Sequence, residues 1–575
     1  MKTKKYLYIA ILVPVLLLLS CSESFLDVKP QGTVAESMLL TPENASSLVT
    51  AAYAMLNDMG GAGIQADTWY SAIRSGDNYK GGAGTADFGG YYSTEMVAPI
   101  MASDGTATGA WSTGYSNISR CNKALAVLNR LTDEEMPLRK VRIAETRFLR
   151  GHWMFILKRF FKYPVYVNET MTNEDIANLS NREFSNDELW DLIAEDFQFG
   201  LDNLPEVQPE VGRANKYAAA AYLAKTRLYQ AYEQDDNNNV ININKTTLAE
   251  VVTLCDVVIN SGKYDLFDNF GKNFTYGYDN GVESIFAIQF SRDDGTVSGK
   301  IDLMHMGDYS MAPGYGCCHA NVPTQNVVNA FKTDANGLPM FDTYNNTDMN
   351  APADFQTNTV DPRLDHTVGI PTHPFKYDLT FVYATGWART PSVYGYFASM
   401  KQTQLPTSPS FKNIGFIGSS KNWDILKYDD VLLMKAEALI EIGTDLNTAR
   451  LLINQIRTRA ANTDWLKYAD NTTFSNYNIQ TYQPGVNCTW DQPFARKALQ
   501  WERRLEFATE SPRFYDLVRW GIAAETINDY FLVEKTKRPY LAGAVFTKNK
   551  NEYFPIPYSQ ILLAKGKYVQ NAGTW

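Results

Sequence analysis

The chain has no excess of positive charge, few histidines, no regular cysteine spacing, and no long apolar run beyond its first twenty residues. Its 575 residues hold 53 Lys and Arg against 63 Asp and Glu, a formal charge of -10. Nucleic acids and other polyanions need clustered cations, so this balance argues against such partners. The five histidines (152, 305, 319, 366 and 373) are scattered and form no His-Glu-x-x-His pair. His366 and His373, flanking a proline-containing loop, read as ordinary surface residues. There is no Gly-x-Ser-x-Gly elbow, and the glycine run 81–90 lacks the lysine and the strand-to-helix setting of a phosphate loop. It reads as a flexible loop. Six irregularly spaced cysteines make no disulfide framework. The paired acids Asp235-Asp236, Asp293-Asp294 and Asp429-Asp430 fall at expected turns or a helix start, and adjacency says nothing of the roughly 5–10 Å separation a glycosidase needs. No enzyme, cofactor or metal site is expected.

What is present begins at the N-terminus. Lys2, Lys4 and Lys5 precede an apolar run from Tyr6 to Leu19, and small Ser20 stands directly before Cys21. That pattern predicts a lipoprotein export signal over 1–20, with Cys21 the lipidated first residue of the mature chain. The apolar run is shorter than the roughly 18 residues a membrane span needs. Aromatic residues make up 13% of the chain, with 34 Tyr and 11 Trp. Rings with an apolar face and a polar edge, in an exported acidic protein, point to a recognition surface.

Helical periodicity opens at Thr41-Pro42, a cap with proline in the first turn. The stretch 60–109, rich in Gly, Ser, Thr, Asp and Tyr, reads as loops. Helices are expected over 111–131, 137–161, 215–234, 428–442 and 446–460. The fourth starts at Asp429 or Asp430 and stops at Gly443, and its apolar face is Val431, Met434, Ala438 and Ile442. Short-loop pairs of this size resemble divergent tetratricopeptide repeats. Between 263 and 424 the composition shifts to Gly, Pro, Asn, Thr and aromatics, with one clear strand in 283–290. A stretch of this length with so little regular structure reads as a functional elaboration on the helical scaffold.

Several motifs now carry a family likeness: Phe25-Leu-Asp-Val-Lys-Pro30 after the lipobox; Trp111-x3-Tyr115-x2-Ile118-x3-Asn122; Arg147-Phe-Leu-Arg-Gly151; Glu283-Ser-Ile-Phe286; Asp361-Pro-Arg-Leu364; Tyr428-Asp-Asp-Val431; Glu502-Arg-Arg-Leu-Glu506; Arg513-x2-Asp516-Leu517-x-Arg519-Trp520; and Phe554-Pro-Ile-Pro557 with Gln570-Asn571. In combination and order they resemble the SusD/RagB family of surface glycan-binding lipoproteins. The resemblance implies one mostly α domain over 21–575, in which four tetratricopeptide-like helix pairs (about 34–262 and 425–575) carry a loop-rich ligand-binding elaboration (about 263–424). It also implies an outer-membrane location facing outward, and partnership with a SusC-like TonB-dependent transporter. Most members bind oligosaccharide and some bind peptide. A helical-repeat scaffold for protein partners is the alternative.

Sugar recognition needs flat rings flanked by Asp, Asn and Arg. Two regions supply them. The first is Asp67, Trp69, Tyr70, Arg74, Asp77 and Asn78, together with Trp111. The second is Tyr309, Tyr315, Trp387, Arg389, Tyr394 and Tyr396. Cys317-Cys318 is either a vicinal disulfide offering a small apolar surface beside the ligand or two reduced buried thiols. The charge-dense segment 502–519 reads as intramolecular ion pairs. The acidic surface and aromatic loops favour a neutral glycan such as a fructan or glucan.

Overall fold

The computed structural model describes residues 40–57, 64–296, 300–415 and 417–575. The export signal and Cys21 lie outside the described residues. Among the described residues, the packed helical array is formed by α1 (Pro42–Ala54), α2 (Gly105–Leu128), α3 (Arg139–Phe161), α4 (Asn186–Asn203), α5 (Lys216–Ala231), α6 (Lys245–Ile259), α7 (Tyr428–Ile442), α8 (Leu446–Ala460) and α9 (Gln492–Glu506). Their ends follow local chemistry. Thr41 caps α1 through its hydroxyl, Ser185 and Glu188 form a capping box on α4, and Asn215 caps α5. Gly443 ends α7 at φ 85°, in the left-handed region.

From α1 to α8 each helix packs on the next, and α9 closes the array against α7 and α8. Ala218 to Ala221 on α5 are all fully buried, and their small side chains let α4 and α6 approach closely. The second half of α3, from Phe148 to Phe161, is buried on every side and forms the central rod.

The elaboration joins this array through short strands. These are β1 (Asn78–Gly81), β2 (Ser284–Ile288), β3 (Ala320–Pro323), β4 (Pro374–Phe375), β5 (Asp378–Val382) and β6 (Trp423–Lys427). β2 pairs antiparallel with β6, which runs directly into α7. β1 pairs antiparallel with β3, Asn78 opposite Pro323 and Gly81 opposite Ala320. β4 and β5 form a hairpin. Among the described residues no helix is long and apolar enough to cross a membrane.

Three expectations are corrected. The stretch 60–109 is not all loop: it holds helices Ile64–Arg74 and Gly89–Met96 as well as β1. Its glycines and tyrosines look loop-like in isolation, but β1 finds its partner some 240 residues later. His366 and His373 are buried. His366 Nδ1 meets the Tyr377 hydroxyl at 2.8 Å and burial lowers its pKa to about 3, whereas His373 Nδ1 pairs with Asp365 at 2.6 Å. Finally, α7 starts at Tyr428, so Asp429 and Asp430 lie inside its first turn and are buried rather than solvated.

A buried ion-pair network locks elaboration to scaffold. Arg363 meets Asp361 at 2.7 Å, Glu502 at 2.7 Å and Glu506 at 2.8 Å. Arg457 on α8 meets Glu502 at 3.0 Å. Arg459 holds Glu283, just before β2, at 2.9 Å and also pairs with Glu506. Asp430 lies between Arg503 at 2.9 Å and Lys225 at 3.2 Å. Burial pushes the Glu506 carboxyl up, but Arg459, Arg363 and Lys427 outweigh it and hold it well below the usual range. Asp430 is depressed in the same way by Lys225 and Arg503 against burial. A carboxylate whose folded pKa is depressed adds stability above its unfolded value, near pH 4, and loses it as pH falls toward the folded value. Asp430→Asn is therefore expected to cost about 3–5 kcal/mol at pH 7. It should also flatten the fall in stability below pH 4, measured by urea unfolding across a pH series.

Candidate functional site

The two sequence regions expected to bind ligand meet where β1 pairs with β3. The chain leaves β1 through Gly81 (φ 70°), where an added Cβ would lie 2.4 Å from the His319 carbonyl oxygen, so only glycine permits this approach. Lys80 then shapes the next turn. Its side chain is fully buried, and its ammonium donates to the carbonyls of Gly81 (3.0 Å) and Gly84 (2.7 Å) and to that of Asp87. This curl presents Asp87, whose carboxylate accepts from Ala83 N–H at 2.8 Å and pairs with Arg389 at 3.3 Å. Arg389 also donates to the Cys318 carbonyl at 3.4 Å. The loop 81–90, expected to be flexible, is thus pinned at both ends.

Beside this pair lies a ring surface. Trp387 packs against Phe381 of β5, centroids 4.7 Å apart and planes 36° apart, and edge-on against Tyr383 at 5.4 Å. Trp387 and Phe381 are half-buried, so each keeps part of its ring open. Met311 N–H donates to the Trp387 carbonyl at 2.8 Å, fixing the backbone beneath the ring. Cys317 and Cys318 are joined in a vicinal disulfide, with Cys317 half-buried at the edge of the same cluster. Open ring faces beside a carboxylate, a guanidinium and an apolar disulfide can stack on a sugar and bond its hydroxyls.

Of the residues expected at the site, Cys317, Trp387, Arg389 and Tyr396 reach the surface, Tyr396 being 47% exposed. Most others prove to be the frame behind it. Trp69 is fully buried against Tyr91 and Phe88, and Tyr70 against Phe160 and Phe554. Trp111 packs on Tyr115 and Phe161. Arg74 lays its guanidinium 3.8 Å over Phe514 and 4.6 Å over Phe554, and burial lowers its pKa to about 9. Asp77 is paired with Arg504 at 3.3 Å and Arg513 at 3.2 Å, and Asn78 donates to the Asn321 carbonyl at 2.7 Å. Tyr309 and Tyr315 are buried beneath the disulfide loop. Tyr394 is fully buried under Lys80, whose ammonium stands 5.3 Å from the ring centre. Cys318 is buried while its carbonyl holds Arg389. Asp67 lies in the helix Ile64–Arg74, its side chain outside the described residues.

Sequence reasoning missed Phe381 and Asp87. No alternation marks Phe381 in 378–382, since Leu379 on the same face of β5 and the neighbouring apolar Val382 are both exposed. Nothing local marks Asp87, since its role comes from a partner 302 residues away.

Known proteins supply a frame for this geometry. A family model described as SusD family matches residues 282–574, and one described as starch-binding associating with outer membrane matches residues 24–228. SusD-like protein P25 of Formosa agariphila is 24% identical over 567 residues, covering 92% of this chain and 94% of its own. A SusD-like protein from Bacteroides fragilis has a crystal structure that matches with a TM-score of 0.69 at 20% identity, over 94% of this chain and 99% of that one. Surface glycan-binding protein A from Bacteroides thetaiotaomicron, in complex with laminarihexaose, matches with a TM-score of 0.63 at 21% identity, over 92% of this chain and 99% of its own. With a mostly α fold shared along nearly the whole chain, and a family model matching more than half of it, this protein belongs to the SusD family.

Proposed function

We propose that the protein is a non-catalytic surface receptor that captures oligosaccharide on the Trp387 face and hands it to a SusC-like TonB-dependent transporter in the outer membrane. The observation that carries this reading is the open Trp387–Phe381 ring pair flanked by the Arg389–Asp87 ion pair and the Cys317–Cys318 disulfide. Surface glycan-binding protein A, seen in complex with laminarihexaose, shares the fold and supports a glycan as ligand. The family description that mentions the outer membrane supports the location. Lipidation at Cys21 would hold the receptor there, since two or more acyl chains anchor durably where one binds only marginally. The formal charge of -10 favours a neutral glycan, a glucan or a fructan, over an acidic one.

The site needs no reacting group. Ring stacking and bonds to hydroxyls are the same before and after binding, so the arrangement holds a chain without favouring a transition state. Because such a face is shallow and wet, the affinity expected is in the range of about 1 μM to 1 mM, with no product formed.

Calorimetry against neutral and acidic oligosaccharides and peptides tests the reading. Trp387→Ala is expected to weaken glycan binding at least tenfold while leaving the melting temperature nearly unchanged. Peptide binding with silence across the glycans would overturn the substrate class, and glycan cleavage would overturn the receptor. Asp77→Ala should behave in the opposite way. It strands Arg504 and Arg513 in the interior and is expected to cost about 3–5 kcal/mol in urea unfolding, with glycan affinity retained by the fraction that stays folded.

A further inference from the structure

A second cluster of open rings lies at the other end of the β4–β5 hairpin. Tyr377, in the hairpin turn, packs edge-on against Trp465 at 5.1 Å, and Trp465 meets Tyr278 at 5.8 Å. Tyr278 is 36% exposed and Tyr276 41%, and Trp465 is half-buried. Polar groups stand beside these rings as they do at Trp387. The Lys272 ammonium lies 5.3 Å from the Tyr278 ring centre and is paired with Asp268 at 2.6 Å.

The loop that carries Tyr276 and Tyr278 is held by buried polar groups that also reach the first cluster. Gln404 accepts from Tyr276 N–H at 3.2 Å and donates to the Phe274 carbonyl at 2.9 Å. Its own backbone bonds the hydroxyls of Tyr309 and Tyr315 beneath the disulfide loop. The Lys376 ammonium ties the hairpin turn to the Phe274 carbonyl at 2.9 Å. Rings fixed in this way lose little freedom on binding, which separates a recognition surface from solvent-exposed tyrosines on a loose loop. Phe381, at the near end of the hairpin, is four residues from Tyr377, on the order of 13 Å at strand spacing. The edge between the two clusters carries exposed Leu379 and Thr380 together with the half-exposed Asp378, whose carboxylate accepts from the Thr380 N–H at 2.8 Å and hydroxyl at 2.7 Å.

We propose that Trp465 and Tyr278 form a second contact surface for the same oligosaccharide, so that a chain long enough to cross the hairpin engages both clusters and a short one engages only Trp387. This rests on the glycan-receptor reading. Two weak contacts on one chain reinforce each other through effective concentration, so affinity should climb steeply once the chain reaches the second cluster.

The test begins with native affinity gels of the folded protein against laminarin, levan, inulin, starch, xylan and mannan. It continues with calorimetry on a size ladder of oligomers from a polysaccharide that binds. Trp465→Ala and, separately, Tyr278→Ala are expected to leave the shortest binding oligomer unaffected and to weaken the longest roughly tenfold, abolishing the climb with length. Trp387→Ala should weaken every length. Tyr278 is exposed enough to be replaced without loss of fold, which an unchanged melting temperature will check. A length dependence identical to that of the unaltered protein in both variants overturns the second surface while leaving the receptor intact. No binding to any of the six polysaccharides overturns the receptor reading and this proposal with it.

Discussion

The structure depends on keeping a few buried charges matched. Glu502 and Glu506 stand one turn apart on α9, facing Arg363 from the elaboration and Arg457 and Arg459 from α8. Glu283, which leads into β2, completes the set. Four segments distant in sequence therefore share one desolvated cluster, in which Arg363, Arg459, Glu502 and Glu506 each have two or more partners of opposite charge. A hydrophobic cluster at this junction would tolerate small shifts. Charges at hydrogen-bonding distance do not, which fixes how the loop-rich third of the chain sits on the helices.

That fixed seat explains why so much of the elaboration can be irregular. Its strands are two to five residues long and pair only in twos. Regular structure contributes little here, and side chains hold the loops: Lys80 gathers three carbonyls, Lys376 two, and Gln404 links the loop around Phe274 to two tyrosines. Each of these groups is buried and bonded, so each loop has a defined path. The open rings then rest on a rigid bed although few of them belong to a sheet or a helix.

The helices were legible because their information is local. Residues 428–442 and 446–460 appear with the bounds their periodicity implies, and 215–234 differs only in fraying into a short strand after Ala231. The motif residues Glu283, Asp361, Arg363, Glu502 and Glu506 were visible in sequence, and the structure shows them to be one network. The site was only half legible. Trp69, Tyr70, Trp111 and Tyr394 have the composition of a sugar platform, yet their rings are wrapped by other aromatics from up to 484 residues away. Burial of that kind has no local signature. Cys317-Cys318 allowed two readings, and the geometry selects the bonded one. Trp387 and Arg389, two apart in a polar loop, do reach the surface, Trp387 half-buried and Arg389 exposed.

The Arg389–Asp87 pair differs from the buried network in one respect. Both side chains are 34% accessible and 3.3 Å apart, so ions reach them. The pair is one of several polar links between the first loop region and the elaboration, beside the Thr390 hydroxyl donating to the Gly82 carbonyl at 2.9 Å and the Gly82 N–H donating to the His319 carbonyl at 2.7 Å, and at seawater-like salt its attraction is screened within a few ångströms. The buried network is insulated from the ionic strength of its surroundings, while this exposed pair is not. Where salt weakens the pair, the β1–β3 pairing and these uncharged hydrogen bonds still hold the two regions together.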